Sequence, residues 1–429
     1  MAVPDLSVNG NDSSPQTRQV ASNKVASRTK QRNGSTQQPT QDEGYYLKMT
    51  ITALDKSRRD PLFKFKVFSN LPRFRHSSYH QVERSYVEFE RLYNSLTYSN
   101  PECIVPALPF ATTSHQTIEE EERRIKHTMQ LWLNRISMNP VLCHDEELRS
   151  FIETDFAFVP TTRPRKRTGN FRLKFSSDAK DDDLKLVQAK SLAYSLEGHF
   201  LDIAKITQKL GKSRKALSHY NSEFGGKALA MGTVERHPPL SNGLRKLGKT
   251  LQIISELQQA QATVEIAVIG DFFGYYAVNA LVVRETLNNR HRIISEHDNA
   301  VKTTISRRRY IERLKSSTNI KSEKVDEALE ELDEAKNYEQ TLDARSKRVT
   351  SNLHSELKIY EENRFHDFIG AMREYVKKQI TYEKQQLKEW ENLRPDINAI
   401  TERNVKVRLL TDEQLTPRAI AEKLSIMAG

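Results

Sequence analysis

The chain predicts an α+β domain, a three-stranded sheet with packed helices, followed by an all-α coiled coil of three very long helices. Three observations carry that expectation. Apolar and polar residues alternate in three short runs between Leu47 and Arg84, and the pattern then changes to helical spacing. From about Asp181 the helical spacing continues to Leu393, with breaks only near Gly225-Gly226, His237-Pro238-Pro239 and Ser316-Ser317-Thr318-Asn319. The 429 residues are 37% hydrophobic and 29% charged, which suits helices that bury only a stripe.

Residues 1–44 are rich in Ser, Thr, Gln and Asn and hold no aromatic residue, so a disordered tail is expected there. The opening residues lack a basic-then-apolar pattern, and Ala2 stands where N-myristoylation requires glycine. A compact domain is expected over 45–158. Leu47, Met49, Ile51 and Ala53 alternate with polar residues as a half-buried strand, and Phe63, Phe65 and Val67 do the same after a turn over Ser57–Pro61. Tyr79 to Arg84 makes a third strand. Phe89, Leu92, Tyr93 and Leu96 form a helical face, as do Ile125, Met129, Trp132, Leu133 and Ile136. Between these helices Val105-Pro106-Ala107-Leu108-Pro109 is an extended proline segment.

Residues 159–180 read as a basic linker, a possible amphipathic segment. Arg163, Arg165, Lys166, Arg167, Arg172 and Lys174 are interleaved with Phe171, Leu173 and Phe175. Residues 181–395 are expected to form the helical domain, and 396–429 a tail. In the first long helix Leu192, Leu196, Phe200, Ile203, Leu210, Leu217 and Phe224 make the seam. The second runs from about Leu240 to Lys315, and the third from about Lys321 until Pro395 stops it. The latter two approach roughly 100 Å each, so dimerisation is the expected way to bury the remaining apolar surface. The apolar stretch from Ile266 to Val283 contains Asp271 and Asn279, which favours a buried seam over a membrane span.

Formal charge is +11, so an anionic partner is expected. Cys103 and Cys143 are expected to be reduced thiols. Histidines lack ligand spacing, and neither a phosphate-cradling glycine loop nor a catalytic triad stands out; no metal, no cofactor and no enzyme activity are expected. A nucleic-acid partner is disfavoured because the linker bases and the distal bases are separated by a long rod, and the compact domain lacks a base-stacking pattern.

The run Arg84-Ser85-Tyr86-Val87-Glu88-Phe89, the proline segment, and Pro140-Val141-Leu142 with Leu148-Arg149-Ser150-Phe151-Ile152 resemble the markers of PX domains. With the helical rod, and Glu356 to Tyr360 through Tyr382, Leu387 and Trp390 as its last helix, residues 45–393 resemble the PX-BAR sorting nexins. The fold implied is thus a PX-like domain followed by a BAR-like helical dimerisation domain. The resemblance makes Arg84, Tyr86 and Arg124 the candidates for phosphoinositide contact. The pattern is degenerate, however. Ser85 replaces the arginine that grips the 3-phosphate, Phe110-Ala111 replaces a lysine, and Ile125 replaces a third base. A serine cannot supply the bidentate contact of a guanidinium. The local reading therefore favours a structural junction at Arg84, Tyr86 and Glu88.

A degenerate pocket on an intact rod resembles the retromer-associated members of the family. That resemblance implies a heterodimer with a second PX-BAR sorting nexin, the retromer core complex as partner, and residence on the cytosolic face of endosomes for retrograde sorting. The expected membrane contacts are the linker bases and a distal cluster: Arg307, Arg308, Arg309, Arg313, Lys315, Lys321 and Lys324, with Lys302 beside it. Counted along the sequence, only Glu312 and Glu323 oppose this cluster. The expected dimer centre is Gly270, Phe272, Phe273, Gly274 and Tyr275 in the middle of the second helix, with Asp271 or Asn279 selecting the partner.

Overall fold

The structure, a computed structural model, describes residues 44–114, 117–161, 181, 183–316 and 322–414, with side chains to residue 400. The linker bases Arg163, Arg165, Lys166, Arg167, Arg172 and Lys174, the possible amphipathic segment, the N-terminal tail and Lys321 all lie outside the described residues.

Strands β1 (Leu47–Asp55), β2 (Leu62–Ser69) and β3 (Ser78–Ser85) form an antiparallel sheet in the order β1-β2-β3. Period-two alternation sets which side chains point inward. Met49, Phe63, Phe65, Val67 and Val82 reach the core while Lys48, Lys66 and Glu83 stay exposed. Helices α1 (Tyr86–Ser99), α2 (Ile118–Met138) and α3 (Glu146–Glu153) cover the inner face. Phe89 is the hub: its ring centroid lies 5.0 Å from Phe151, 5.4 Å from Phe63 and 6.0 Å from Trp132. The Trp132 indole donates to the Pro106 carbonyl at 2.8 Å, which fastens the proline segment to α2.

The rod is built from α4 (Leu184–Val234), α5 (Pro238–Glu265), α6 (Asp271–Lys315) and α7 (Ser322–Gln414). One π-helical turn, Ile266–Gly270, joins α5 to α6, so the two continue as one 78-residue helix. That helix contains a window long and apolar enough to span a membrane, and 61% of the window is buried inside the molecule. It is a core helix by packing.

The expected seam of α4 is displaced by one residue. Ala204, Gly211, Ser218, Gly225 and Gly232, each seven residues on, face inward, while Ile203, Leu210, Leu217 and Phe224 face solvent. One residue is about 100° on a helix, so a face of small residues lies beside a face of large ones. The small face lets the axes approach closely. A Cβ on Gly225 would fall 2.8 Å from the Gly248 carbonyl oxygen, and one on Gly248 would fall 2.6 Å from that of Gly225. Ser218 and Ser255 donate to each other's carbonyls at 2.9 and 2.7 Å. Gly225-Gly226 therefore lies within α4 and does not break it. Of the expected seam, Phe200 does pack inward, with its ring 5.7 Å from Phe273.

Pro395 does not stop the third helix either; α7 runs through it to Gln414. The ring removes one rung of the hydrogen-bond ladder. Beyond it, Ile400 lies against Gly243, and Asp396 pairs with Lys246 at 3.8 Å.

Candidate functional site

The phosphoinositide candidates come first. Ser85 caps α1, and Glu88 reaches back to the Ser85 amide at 2.8 Å, closing a capping box. This fixes the strand-to-helix corner and directs Arg84 inward. The Arg84 guanidinium donates to the carbonyls of Phe151 (2.7 Å), Glu83 (2.8 Å) and Thr154, and lies 5.4 Å from the Phe151 ring centre. Burial lowers its pKa, opposed by Glu88 and Asp155. Tyr86 donates its hydroxyl to the Pro109 carbonyl at 2.9 Å, and burial pushes the phenol up to about 12. Ile125 is fully buried. Arg124, one residue away, turns outward to α7, where Glu374 accepts at 2.9 and 2.8 Å. Arg84, Tyr86 and Arg124 are thus held by the chain itself. Neighbouring carbonyls and one carboxylate occupy the polar atoms of these expected lipid-contact residues.

Arg124–Glu374 belongs to a longer seam between the small domain and the rod. Ile104 and Ala107 of the proline segment insert among Val283, Leu287, Val349 and Leu353. Around them the rod satisfies the segment's backbone. Glu356 accepts from the Ile104 amide at 3.1 Å, and Asn279 accepts from the Ala107 amide at 3.0 Å. Tyr275 donates to the Ala107 carbonyl at 2.9 Å. Asp271 accepts from both the amide and the hydroxyl of Ser114, at 2.8 and 2.7 Å. Farther along, Arg135 pairs with Asp367 at 2.7 Å, and Tyr276 donates to the same carboxylate at 2.6 Å.

Within the chain this seam already engages several residues of the expected dimer centre. Phe272 and Phe273 meet edge to face at 5.2 Å and lie 6.2 and 6.3 Å from Phe368. Gly270 faces Thr207 on α4, and Tyr275 is spent on Ala107. Gly274 faces open space and brings no backbone close. Asp271 and Asn279, expected to select a partner chain, hold Ser114 and Ala107 of the small domain. The mid-point of the long helix is where the small domain docks, and periodicity alone cannot distinguish that from a subunit contact.

The open apolar surface lies elsewhere. On α4, Ile203, Ile206, Leu210, Leu217, Tyr220 and Phe224 are all exposed, Phe224 by 58%. On α7, Val376, Ile380, Leu387 and Trp390 are exposed at three- and four-residue steps or their sum. The signal for this face was present in the sequence: two parallel seven-residue repeats on α4, one of small residues and one of large.

At the far end Ile311 of α6 packs with Ala328 and Leu332 of α7, the Thr304 hydroxyl donates to the Ala335 carbonyl at 3.4 Å, and Ala300 is buried on the same face of α6. Arg308, Arg309, Arg313 and Lys315 are exposed on α6, as is Lys302, and Lys324 is exposed on α7. Arg307 differs: it is half-buried and pairs with Glu331. The return helix α7 carries Asp326, Glu327, Glu330, Asp333 and Glu334 at the same end of the rod, all exposed. Among the described residues no group of three or more His, Cys, Asp or Glu could hold a metal ion. Cys103 and Cys143 are free thiols.

Comparison with known proteins bears on the same two regions. The family described as Vps5 C terminal like matches residues 166–396, and the PX domain family matches 72–155. Vacuolar protein sorting-associated protein 17 of Schizosaccharomyces pombe (strain 972 / ATCC 24843) is 30% identical over 362 residues, covering 83% of this chain and 66% of that protein. The protein of the same name from Saccharomyces cerevisiae (strain ATCC 204508 / S288c) is 28% identical over 412 residues, covering 90% and 74%. The chain thus spans about two thirds to three quarters of these relatives' length. The cryo-EM structure of the SNX-BAR Mvp1 tetramer superposes with a TM-score of 0.56 at 15% identity, covering 80% of this chain and 99% of that one. That is a likeness of fold.

Proposed function

The chain belongs to the PX-BAR sorting nexins, with a Vps5-like helical region over more than half its length, and from that premise we propose that it is a non-catalytic coat subunit on the cytosolic face of endosomes. In this reading it pairs with a second PX-BAR sorting nexin, works with a retromer core, and shapes membrane for endosome-to-Golgi retrograde sorting. The relatives' shared name, vacuolar protein sorting-associated protein 17, supports the sorting role.

The observation that carries the pairing is the outward heptad of α4. Ile203, Leu210, Leu217 and Phe224 form a continuous apolar stripe, and α7 adds Ile380 and Leu387. Burying such side chains gains about 1.5–3 kcal/mol each, enough for a stable helical dimer. The small domain's polar groups support a division of labour. With Ser85 capping a helix and Arg124 held by Glu374, phosphoinositide recognition falls to the partner. This chain contributes a rod whose exposed bases, Arg308, Arg313 and Lys315 on α6, meet anionic lipid. Each base near such a surface adds about 1 kcal/mol, so the contact works by summation.

The test is the mass of the purified chain alone and mixed with a PX-BAR sorting nexin that retains both marker arginines. A one-to-one complex whose flotation on anionic vesicles rises when phosphatidylinositol 3-phosphate is added, while that of this chain alone does not, is the expected result. A stable homodimer that floats on that lipid by itself would replace this reading with that of a self-sufficient lipid-binding sorting nexin.

A further inference from the structure

We propose that the distal end of the rod is a self-complementary contact, through which the basic outer face of α6 in one copy docks on the acidic outer face of α7 in the next. The inference goes beyond pairing and lipid binding, because it concerns how copies line up side by side. It rests on where the packing places the charges. Ala300, Thr304 and Ile311 turn α6 toward α7, and Ala328 and Leu332 turn α7 toward α6. At 3.6 residues per turn, Lys302 and Arg309, seven residues apart, then lie on the side of α6 away from α7. By the same geometry Glu323 and Glu330, also seven apart, lie on the side of α7 away from α6. All four side chains are exposed.

The two outer faces carry opposite charge. Between Lys302 and Lys315, α6 exposes five bases against the single acid Glu312; between Glu323 and Glu334, α7 exposes six acids against the single base Lys324. Among the described residues the ion pair that crosses between the helices here is Arg307–Glu331. The remaining charge is therefore available to another molecule. Its occupant is a second copy of this chain, because each copy presents both halves of the match, with equal seven-residue spacing.

Geometry also sets the symmetry. Because the faces point in opposite directions, two copies cannot satisfy both at once, so the contact is head-to-tail and extends into an open row. Solvent-exposed ion pairs are individually weak and screened by salt. The row is then expected to form where copies are concentrated on a surface and to loosen as ionic strength rises. Arg308 and Lys315 lie off the Lys302–Arg309 line, whereas Arg313, four residues after Arg309, lies on it, so lipid contact and lateral contact share Arg313 and otherwise use different bases.

The experiment is zero-length carbodiimide crosslinking of the full chain, as an equal mixture of 15N-labelled and unlabelled protein, free and on phosphatidylserine vesicles. Mass spectrometry reads links that join labelled to unlabelled peptides. The expected result is a Lys302 link to Glu323 or Glu330 between copies, with a ladder of products beyond the dimer on vesicles. Both are expected to fall roughly tenfold in 0.5 M salt and in Glu323→Lys/Glu330→Lys, since like charges are then opposed. Mixing that variant with Lys302→Glu/Arg309→Glu is expected to restore the links. Absence of such links in both states, or a ladder unchanged by the acid reversal, overturns the proposal. Flotation of the same samples is read separately: wild type that fails to float contradicts the lipid-facing role and leaves the crosslink result to stand or fall by itself.

Discussion

In the small domain the largest side chains point inward, with Trp132, Phe63, Phe65, Phe89 and Phe151 all fully buried. Along α4 the order is inverted: glycine, alanine and serine face the neighbouring helix, while Leu210, Leu217 and Phe224 face out. The difference separates a region that encloses its large apolar side chains from one that leaves them open to solvent. It also explains how the two regions join. The small domain lends Ile104 and Ala107 to the rod, at the one stretch where the rod supplies polar groups to receive a backbone.

That contrast is open to test, and the largest effect belongs to the closed core. Trp132→Ala is expected to cost about 3–5 kcal/mol, loosening the small domain first. Hydrogen exchange should rise across β1, β2 and α2 while α4 and α5 keep their protection. Next is the open face. Leu210→Asp with Leu217→Asp is expected to leave the monomer's helicity unchanged and to weaken dimerisation by about a hundredfold or more, close to 3 kcal/mol. Sedimentation against a PX-BAR partner reads this directly, and an unchanged dimer would mean that the stripe is not the interface.

Gly248→Ala tests the small-residue side. Its Cβ would meet Gly225 backbone oxygen at 2.6 Å and Leu229 nitrogen at 3.0 Å, neither of which can swing aside. A loss of about 1–3 kcal/mol in thermal unfolding is expected from overpacking. At the seam, Arg135→Ala leaves the Asp367 carboxylate with the Tyr276 hydroxyl as its remaining strong donor, and an effect of about 1–2 kcal/mol is expected in chemical denaturation.

The smallest effect is in pH. Burial raises the Glu356 carboxyl above 4.5, opposed by the Ile104 and Asn139 donors. An acid whose pKa is higher when folded binds more protons in the folded state. Its contribution is full below pH 4.5 and is lost as pH rises through the raised value. Glu356→Gln should remove that slope, so wild type minus variant stability, read by urea unfolding across acidic pH, should fall with rising pH.

Much of this was legible from residue order. The three strands, the α1 and α2 faces and the long helical rod follow from spacing, because alternation and 3.6-residue periodicity are local properties of the backbone. So was the loss of a marker arginine at Ser85, which lacks the charge of a guanidinium. The bases near Lys315 were also visible, but that the acids of α7 share their end of the rod was not. Those acids follow a turn in the chain and become neighbours only when α7 packs back on α6.

The sequence by itself determined which positions on each helix are apolar, small or charged, and therefore that the rod has more apolar surface than three helices can enclose. Only the tertiary structure decided which neighbour each face meets. It gave Asp271 to Ser114 and Asn279 to the proline segment, turned Gly225 toward Gly248, and left the Leu210 stripe open. The physical reason is that periodicity specifies an angle around one helix, whereas a contact depends on the axial position and separation of two. In this rod one residue of rotation separates the face that closes the chain on itself from the face that remains open.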